Sequence, residues 1–252
     1  MLENEKNELQ AIINASLNEA EKHWQRGGFI LEALNRKMED SVQPSNIPGH
    51  KIVRDDETVI DEFIAFVADM RNSTDHLMCA ISSKNADVSG LQRVYYETSA
   101  LLPSLAHVVS KENGKVTEFL GDGVLALFQI DPEAKEEAIY ASHRAAKKAV
   151  NNVRQMINEE LKKRYRLPPI DIGVGLATSK ALVTLVGLPQ EKQPKAFGEC
   201  IFRATKLSSG QNEIICDQNL KAMWPSSKGG TISFKQKPIK NAAFTGYLIG
   251  TS

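Results

Sequence analysis

A Gly-Asp-Gly tripeptide at 121–123 lies between two short apolar segments, and this feature limits the folds open to the chain. The segments read VTEFL (116–120) and VLALF (124–128). Because glycine tolerates the positive φ that a tight turn requires, the pattern predicts a β-hairpin with the carboxylate of Asp122 at its tip. The domain therefore contains at least one antiparallel pair of strands.

The segments around this hairpin follow a defined order. FIAFVAD (63–69) predicts a buried strand that also ends at a carboxylate, Asp69. A helical pattern runs from 73 to 110 with a break near Ser89-Gly90, and an amphipathic helix covers 132–166 before further strands. This order predicts an α+β fold, with a ferredoxin-like βαββαβ core, helices on one face of an antiparallel sheet, and a C-terminal extension.

The N-terminal region is predicted to be separate from this core. Residues 1–57 form a helical extension, interrupted at Gly27-Gly28, and a linker from Ser41 to Glu57 that contains two prolines. Residues 58–252 then form the main domain. No apolar run reaches the ~18 residues that cross a bilayer, and the first residues are too polar for a signal peptide. We expect a cytoplasmic protein with no membrane partner.

The charge balance excludes several classes of partner. Lys plus Arg and Asp plus Glu each number 31, so the formal net charge is zero. A nucleic-acid-coating protein or an acidic disordered chain would be strongly charged, so we expect no nucleic-acid partner. The three cysteines lack CxxC or CxxH spacing, which argues against a structural zinc site.

Asp69 and Asp122 are the candidate metal ligands. Each closes a strand, and in a βαββ unit these strands are neighbours, so the two side chains can meet at one sheet edge. Paired carboxylates suit Mg²⁺ or Mn²⁺. The alternative is that both residues only cap turns, a role for which aspartate is well suited.

The residues after Asp69 are candidate phosphate ligands. Arg71, Asn72, Ser73 and Thr74 lead into a helix, where unpaired backbone N–H groups and hydroxyl groups can bind an anion. An ordinary helix N-cap is the alternative. Carboxylates for a metal beside donors for phosphates indicate a nucleoside triphosphate as ligand.

Five blocks of the sequence, in order, resemble the class III nucleotidyl cyclase domain over residues 59–250. They are FIAFVADMRNST, VTEFLGDGVLALF, IDIGVGLATSKALVTLVG, KAFGECIFRATKLSSG and KQKPIKNAAFTGYLIG. The resemblance implies that Asp69, Asp122 and the backbone carbonyl of Met70 bind two divalent metal ions, Mn²⁺ or Mg²⁺. It further implies a homodimer with composite active sites that cyclises a nucleoside triphosphate and releases pyrophosphate.

Two positions of the cyclase pattern read the base. They are Glu118, where adenylate cyclases typically have Lys, and Lys195, where those enzymes usually have Asp. A carboxylate acceptor beside an ammonium donor fits a base edge with N–H next to C=O, as in guanine and uracil. A solvated surface lysine is the alternative for Lys195.

Several segments, including RVYYETSALLP, are most similar to the bacterial pyrimidine cyclases of the Pycsar antiphage systems. This resemblance implies a bulky residue that narrows the base pocket, for which Tyr96 is the candidate, and a product that a separate effector protein senses. We therefore expect a uridylate cyclase, with cytidylate and guanylate cyclases as alternatives. The other interpretation of Tyr96 is a helix residue that packs on the sheet.

One part of the pattern departs from the family. On the helix after KAFG, an Asn that orients the ribose and an Arg four residues later are replaced by Phe202 and Lys206. Lys206 still offers a cation, without the bidentate geometry of Arg, and Arg203 is a candidate to supply part of the lost charge. The loss of the Asn keeps open a degenerate, nucleotide-binding scaffold.

Overall fold

The computed structural model describes residues 1–25, 42–54, 58–78, 88–188, 191–226 and 230–251. In chain order, the described elements are α1 (Glu3–Gln25), β1 (Val42–Ile47), β2 (His50–Arg54), β3 (Val59–Met70), α2 (Ser73–Met78), α3 (Gly90–Lys111), β4 (Lys115–Phe119), β5 (Gly123–Gln129), α4 (Lys135–Lys147), a π-helical segment (Lys148–Val153), α5 (Arg154–Tyr165), β6 (Ile172–Val186), β7 (Gln193–Gly198), α6 (Glu199–Leu207), β8 (Ile214–Cys216), α7 (Gln218–Met223), β9 (Ile232–Pro238) and β10 (Thr245–Thr251).

The central sheet confirms the predicted α+β fold. Its strand order is β4-β5-β3-β6-β8-β10-β9, and β7 pairs with the second half of β6. The first four strands, with α3 and the α4–α5 helix between them, form the ferredoxin-like βαββαβ core. The β6–β8 pair is parallel, whereas the other strand pairs described are antiparallel.

The two faces of this sheet have separate cores. Alternate side chains of β3 point to opposite faces, so Phe66 and Ala68 pack under α1, α3, α4 and α5, which form the helix layer. Phe63 and Val67 pack on the other face, against α6 and the β1–β2 hairpin. We call this second side the open face, because Asp69, whose side chain lies on it, is partly exposed.

Glycines in β6 allow α6 to approach the open face closely. A Cβ atom at Gly175 would overlap the backbone carbonyl of Ala204, and one at Gly173 would overlap that of Ser208. Any larger residue at either position would push α6 away from the sheet.

The N-terminal region departs from its prediction. The segment predicted as a linker contains the β1–β2 hairpin, whose Ile47 and Val53 are buried against the open face. In α1, Leu9, Ile13 and Leu17 are fully buried in the core of the helix layer, so α1 is an integral part of that layer. The predicted interruption at Gly27-Gly28 lies outside the described residues.

Other elements agree with the sequence to different degrees. Ser89 caps α3 through its side chain, as the predicted break near Ser89-Gly90 requires. The further strands predicted after residue 166 begin with one long strand, β6, whereas β7 and α7 were not predicted. Among the helices that the structure describes, none is long and apolar enough to cross a membrane.

Candidate active site

The register between β3 and β5 brings Asp69 and Asp122 together. Asp69 lies opposite Gly123, and the backbone N–H of Met70 donates to the carbonyl of Asp122 at 3.1 Å. Gly121 adopts a φ of +79° in the turn, and a Cβ atom at Gly123 would overlap the Ala68 carbonyl. The glycines on both sides of Asp122 are therefore what allow the hairpin tip to fold against the end of β3.

The two carboxylates form an electrostatically strained pair. Burial and, to a lesser extent, the neighbouring Asp122 carboxylate together raise the pKa of Asp69 to about 7. Arg71 opposes this effect, since its Nη1 donates to Oδ2 of Asp69 at 3.2 Å. The hydroxyl of Ser73 donates to the Asp122 carboxylate.

This donor set fits a divalent cation of the Mg²⁺ or Mn²⁺ type. The residues that would hold it are Asp69, Asp122 and the backbone carbonyl of Met70. Carboxylate and carbonyl oxygens are the ligands these ions prefer, and a positive ion would relieve the repulsion that raises the pKa of Asp69. Within the described part of the chain, no cluster of three or more His, Cys, Asp or Glu residues has metal-binding geometry.

The predicted phosphate ligands divide into two pairs. Arg71 and Ser73 contact the carboxylates directly. Asn72 and Thr74 are exposed at the same turn, where Asn72 has a positive φ of 59°. The turn is fixed by the backbone N–H of Arg71, which donates to the Asp171 carbonyl at 2.8 Å.

Glu118 and Lys195 lie together, 2.9 Å apart, and each is about one-third exposed. A β-bulge at Thr117 places Glu118 on the open face: Val116 pairs with Ala126, which faces the helix layer, whereas Glu118 pairs with Leu125, which faces the other way. In a regular strand, residues two positions apart would share a face. The Thr117 hydroxyl donates to the Leu125 carbonyl at 3.3 Å, within this irregularity.

The bulge and the neighbouring strand β1 were not foreseen from the sequence. β1 contacts both β4 and β7, the strands that carry Glu118 and Lys195. Bulges have no reliable signature in a single sequence, because any residue type can occupy them. The two prolines and the glycine of the β1–β2 region instead indicated a linker.

The structure places Tyr96 away from the predicted base pocket, which corrects that assignment. Tyr96 is 3% exposed and belongs to the core of the helix layer. Its ring stacks on Tyr165 with centroids 4.5 Å apart, and its hydroxyl accepts from Gln92 at 3.0 Å. Glu118 lies on the opposite face of the sheet, so Tyr96 is the helix residue of the alternative interpretation.

The predicted site residues of α6 differ in whether they are exposed or held by ion pairs. Phe202 is 69% exposed and Lys206 is exposed, so both are free to contact a ligand or a partner chain. Arg203 is instead held by two carboxylates: its Nε donates to Glu199 at 2.8 Å, and its Nη1 lies 3.5 Å from the fully buried Asp217. Its contacts make Arg203 a counter-ion within the fold, which corrects its assignment as a catalytic residue.

Comparisons with known proteins agree with this fold. The adenylyl cyclase CyaB from P. aeruginosa superposes with a TM-score of 0.61 at 17% identity, over 78% of this chain and 97% of that one. A guanylyl cyclase superposes at 0.58 and 16% identity, over 77% and 94%. A dimeric guanylyl cyclase domain from the fungus Blastocladiella emersonii superposes at 0.51 and 12% identity, over 77% and 97%.

Sequence comparisons are more limited. An adenylate cyclase of Dictyostelium discoideum, described as terminal-differentiation specific, is 26% identical over 98 residues, which is 39% of this chain and 4% of that protein. No family model matches the chain. The structural superpositions, and not the sequence matches, show that the fold is that of the class III cyclase domain.

Proposed function

We propose that this protein is a metal-dependent nucleotidyl cyclase that converts UTP to the 3′,5′-cyclic monophosphate and pyrophosphate. The observation that carries the proposal is the close pair of Asp69 and Asp122, on a cyclase fold whose open face also carries Glu118 and Lys195. A site that had lost its activity would have no reason to keep two carboxylates that repel each other.

The residues of the chain have distinct roles in this proposal. Asp69, Asp122 and the Met70 carbonyl would hold two divalent ions, which when bound would activate the ribose 3′-hydroxyl and neutralise charge on the triphosphate. Arg71 and Ser73 orient the two carboxylates. Lys206 presents a cation to the triphosphate, and Phe202 contacts the ribose through its ring instead of a hydrogen bond.

Glu118 and Lys195 select the base. An ammonium group has three donors and a carboxylate has several acceptor sites, so the pair can stay bonded while Glu118 accepts from a base N–H and Lys195 donates to a base C=O. Uracil presents these groups side by side. The similarity of the sequence to pyrimidine cyclases favours UTP, and cyclic UMP would then act as a messenger in antiphage defence.

GTP is a second candidate, favoured by one observation. Guanine offers the same N–H and C=O groups, and the bulky residue expected to narrow the base pocket against its two rings was Tyr96. Because Tyr96 is buried in the helix layer, it does not restrict the base pocket.

The active unit is proposed to be a homodimer. The exposed Phe202 ring and the nearby Lys206 would face the metal-binding carboxylates of the partner subunit, as the cyclase resemblance implies. The Phe202 ring is 69% exposed and is therefore accessible to a partner subunit.

The direct test is incubation of the purified protein with ATP, GTP, CTP and UTP in equal amounts with Mn²⁺, followed by mass spectrometry of the products. We expect cyclic UMP as the main product. Cyclic GMP as the main product would replace uridylate by guanylate cyclase. Nucleotide binding with no cyclic product would favour the degenerate scaffold.

A further inference from the structure

A second group of buried charges lies next to the candidate active site. Glu97 of α3 is fully buried, and both of its oxygens are engaged. Nε of Arg93 donates to Oε1 at 2.7 Å, and Nδ1 of His76 lies 2.9 Å from Oε2. Because an ionised carboxylate can only accept, this geometry places a proton on Nδ1 of His76.

His76 belongs to α2, the helix that also carries Ser73. None of the six residues of α2 is buried, so apolar packing does little to fix its position. Leu77 and Met78, its two largest apolar side chains, are exposed. The His76–Glu97 bond joins α2 to a fully buried group of α3.

Ser73, at the other end of α2, donates its hydroxyl to the Asp122 carboxylate. A displacement of α2 would therefore change the orientation of a metal-binding carboxylate. Arg93 already supplies a counter-charge to Glu97, so the burial of that carboxylate does not depend on His76. Loss of the bond from His76 would therefore mainly affect the position of α2.

We propose that His76 and Glu97 are a positioning pair that fixes α2, and through Ser73 fixes Asp122 in the geometry that binds metal. This inference rests on the proposed metal-dependent function of the same site. Neither residue contacts the metal ligands directly, so both act through α2.

The chain offers a matched control for His76. His107 of α3 has a similar side-chain exposure, 16% against 14%, and it also faces a glutamate, Glu8, with Nε2 3.7 Å from the carboxylate. That contact joins α3 to α1 and not to α2. His107→Ala therefore removes the same group without touching the proposed link.

The test measures Mn²⁺ affinity by electron paramagnetic resonance without nucleotide, together with kcat and KM in the cyclase assay. In His76→Ala we expect the Mn²⁺ dissociation constant to rise about 10-fold and kcat to fall by a similar factor with KM little changed, because residues outside the ligand shell typically have effects of this size. His76→Asn should recover most of the loss, since its amide N–H can replace Nδ1–H. His107→Ala should stay within about 2-fold of wild type, since surface-type changes away from a site have small effects.

The outcomes separate this inference from the proposed function. Equal Mn²⁺ affinity and kcat in wild type, His76→Ala and His107→Ala would overturn the positioning role. Glu97→Gln, which keeps the side-chain shape, gives a second route to the same result if His76→Ala fails to fold. A folded wild-type protein that binds no Mn²⁺ would overturn the proposed function, and the positioning role with it.

Discussion

The two faces of the central sheet differ in what they do with polar groups. The helix layer buries an apolar core, with α1 packed over it and ion pairs such as Lys148 with Glu5 and Glu112 at its edges. The open face carries Asp69 beside Asp122 and the Glu118–Lys195 pair, in positions that solvent still reaches. The larger apolar core therefore lies on one face of the sheet, and the proposed chemistry lies beside the smaller core on the other.

This difference explains which residue assignments hold together. Asp69, Glu118 and Lys195 lie on the open face, where a ligand can reach them. Tyr96 lies on the helix face, where its ring is part of the core. A candidate binding residue must lie on the same face of the sheet as the rest of its site, and Tyr96 does not.

The largest expected effect is on the open face. Asp122→Ala should reduce cyclisation at least ~1000-fold while the protein remains folded, because it removes a ligand shared by the metal pair. Asp69→Ala should behave in the same way. Product formation, with circular dichroism to verify folding, provides the measurement.

Asp131→Ala is a suitable control for this change, since Asp131 is also a turn aspartate and lies two residues after the end of β5. It should retain activity within a few-fold. Wild-type rates in a folded Asp122→Ala protein would show that the carboxylates on the open face are not needed for cyclisation.

On the helix face, the opposite result is expected. Tyr96→Ala should lower the free energy of unfolding by about 3 kcal/mol, since it deletes a fully packed aromatic ring, and should leave the nucleotide preference unchanged. Tyr140→Ala, the same change at a more exposed site, should cost less. Denaturant unfolding and a four-nucleotide competition assay measure both effects. A changed nucleotide preference without loss of stability would show that Tyr96 does contact the base.

The Glu118–Lys195 pair should control selectivity rather than folding. Glu118→Gln should lower kcat/KM for the preferred nucleotide roughly 30-fold, because a charged acceptor of the base N–H is lost. Glu213→Gln, at the Glu213–Lys237 pair between β8 and β9, is the matched control and should change kcat/KM little. If the two variants lose activity equally, the base is not read at Glu118.

The smallest expected effect is a gain in stability when the charge of Asp69 is removed. The pKa of Asp69 is about 7 in the fold against an ordinary value of 3.8. Between these two pH values, the folded state holds a proton that the unfolded state releases. The free energy of unfolding therefore falls as pH rises through that window. Metal-free Asp69→Asn should melt roughly 5 °C higher than wild type at pH 8.

At pH 3.5 this difference should disappear, because the Asp69 carboxyl is then protonated in the fold. Mn²⁺ at pH 8 should stabilise wild type more than Asp69→Asn. Equal melting temperatures of the two metal-free proteins at pH 8 would show that Asp69 carries no electrostatic cost.

The sequence was sufficient for the βαββαβ order of elements and for the placement of Asp69 and Asp122 at one sheet edge. Gly-Asp-Gly defined the hairpin, and the apolar run ending at Asp69 defined the neighbouring strand, since both signals are local. The position of Tyr96 could not be obtained in this way, because a helix residue faces the sheet or a ligand according to tertiary packing. The Thr117 bulge and the counter-ion role of Arg203 likewise depend on contacts that are distant in sequence, with Leu125 and Asp217.

Complementation between two inactive variants tests most directly whether the open face forms half of a composite cyclase site. Asp69→Ala and Lys206→Ala are mixed in equal amounts, and subunit exchange is verified by native mass spectrometry. One of the two sites in each heterodimer would then be intact, so the mixture should recover roughly a quarter of wild-type activity. Heterodimers that form and show no recovered activity would contradict the composite site.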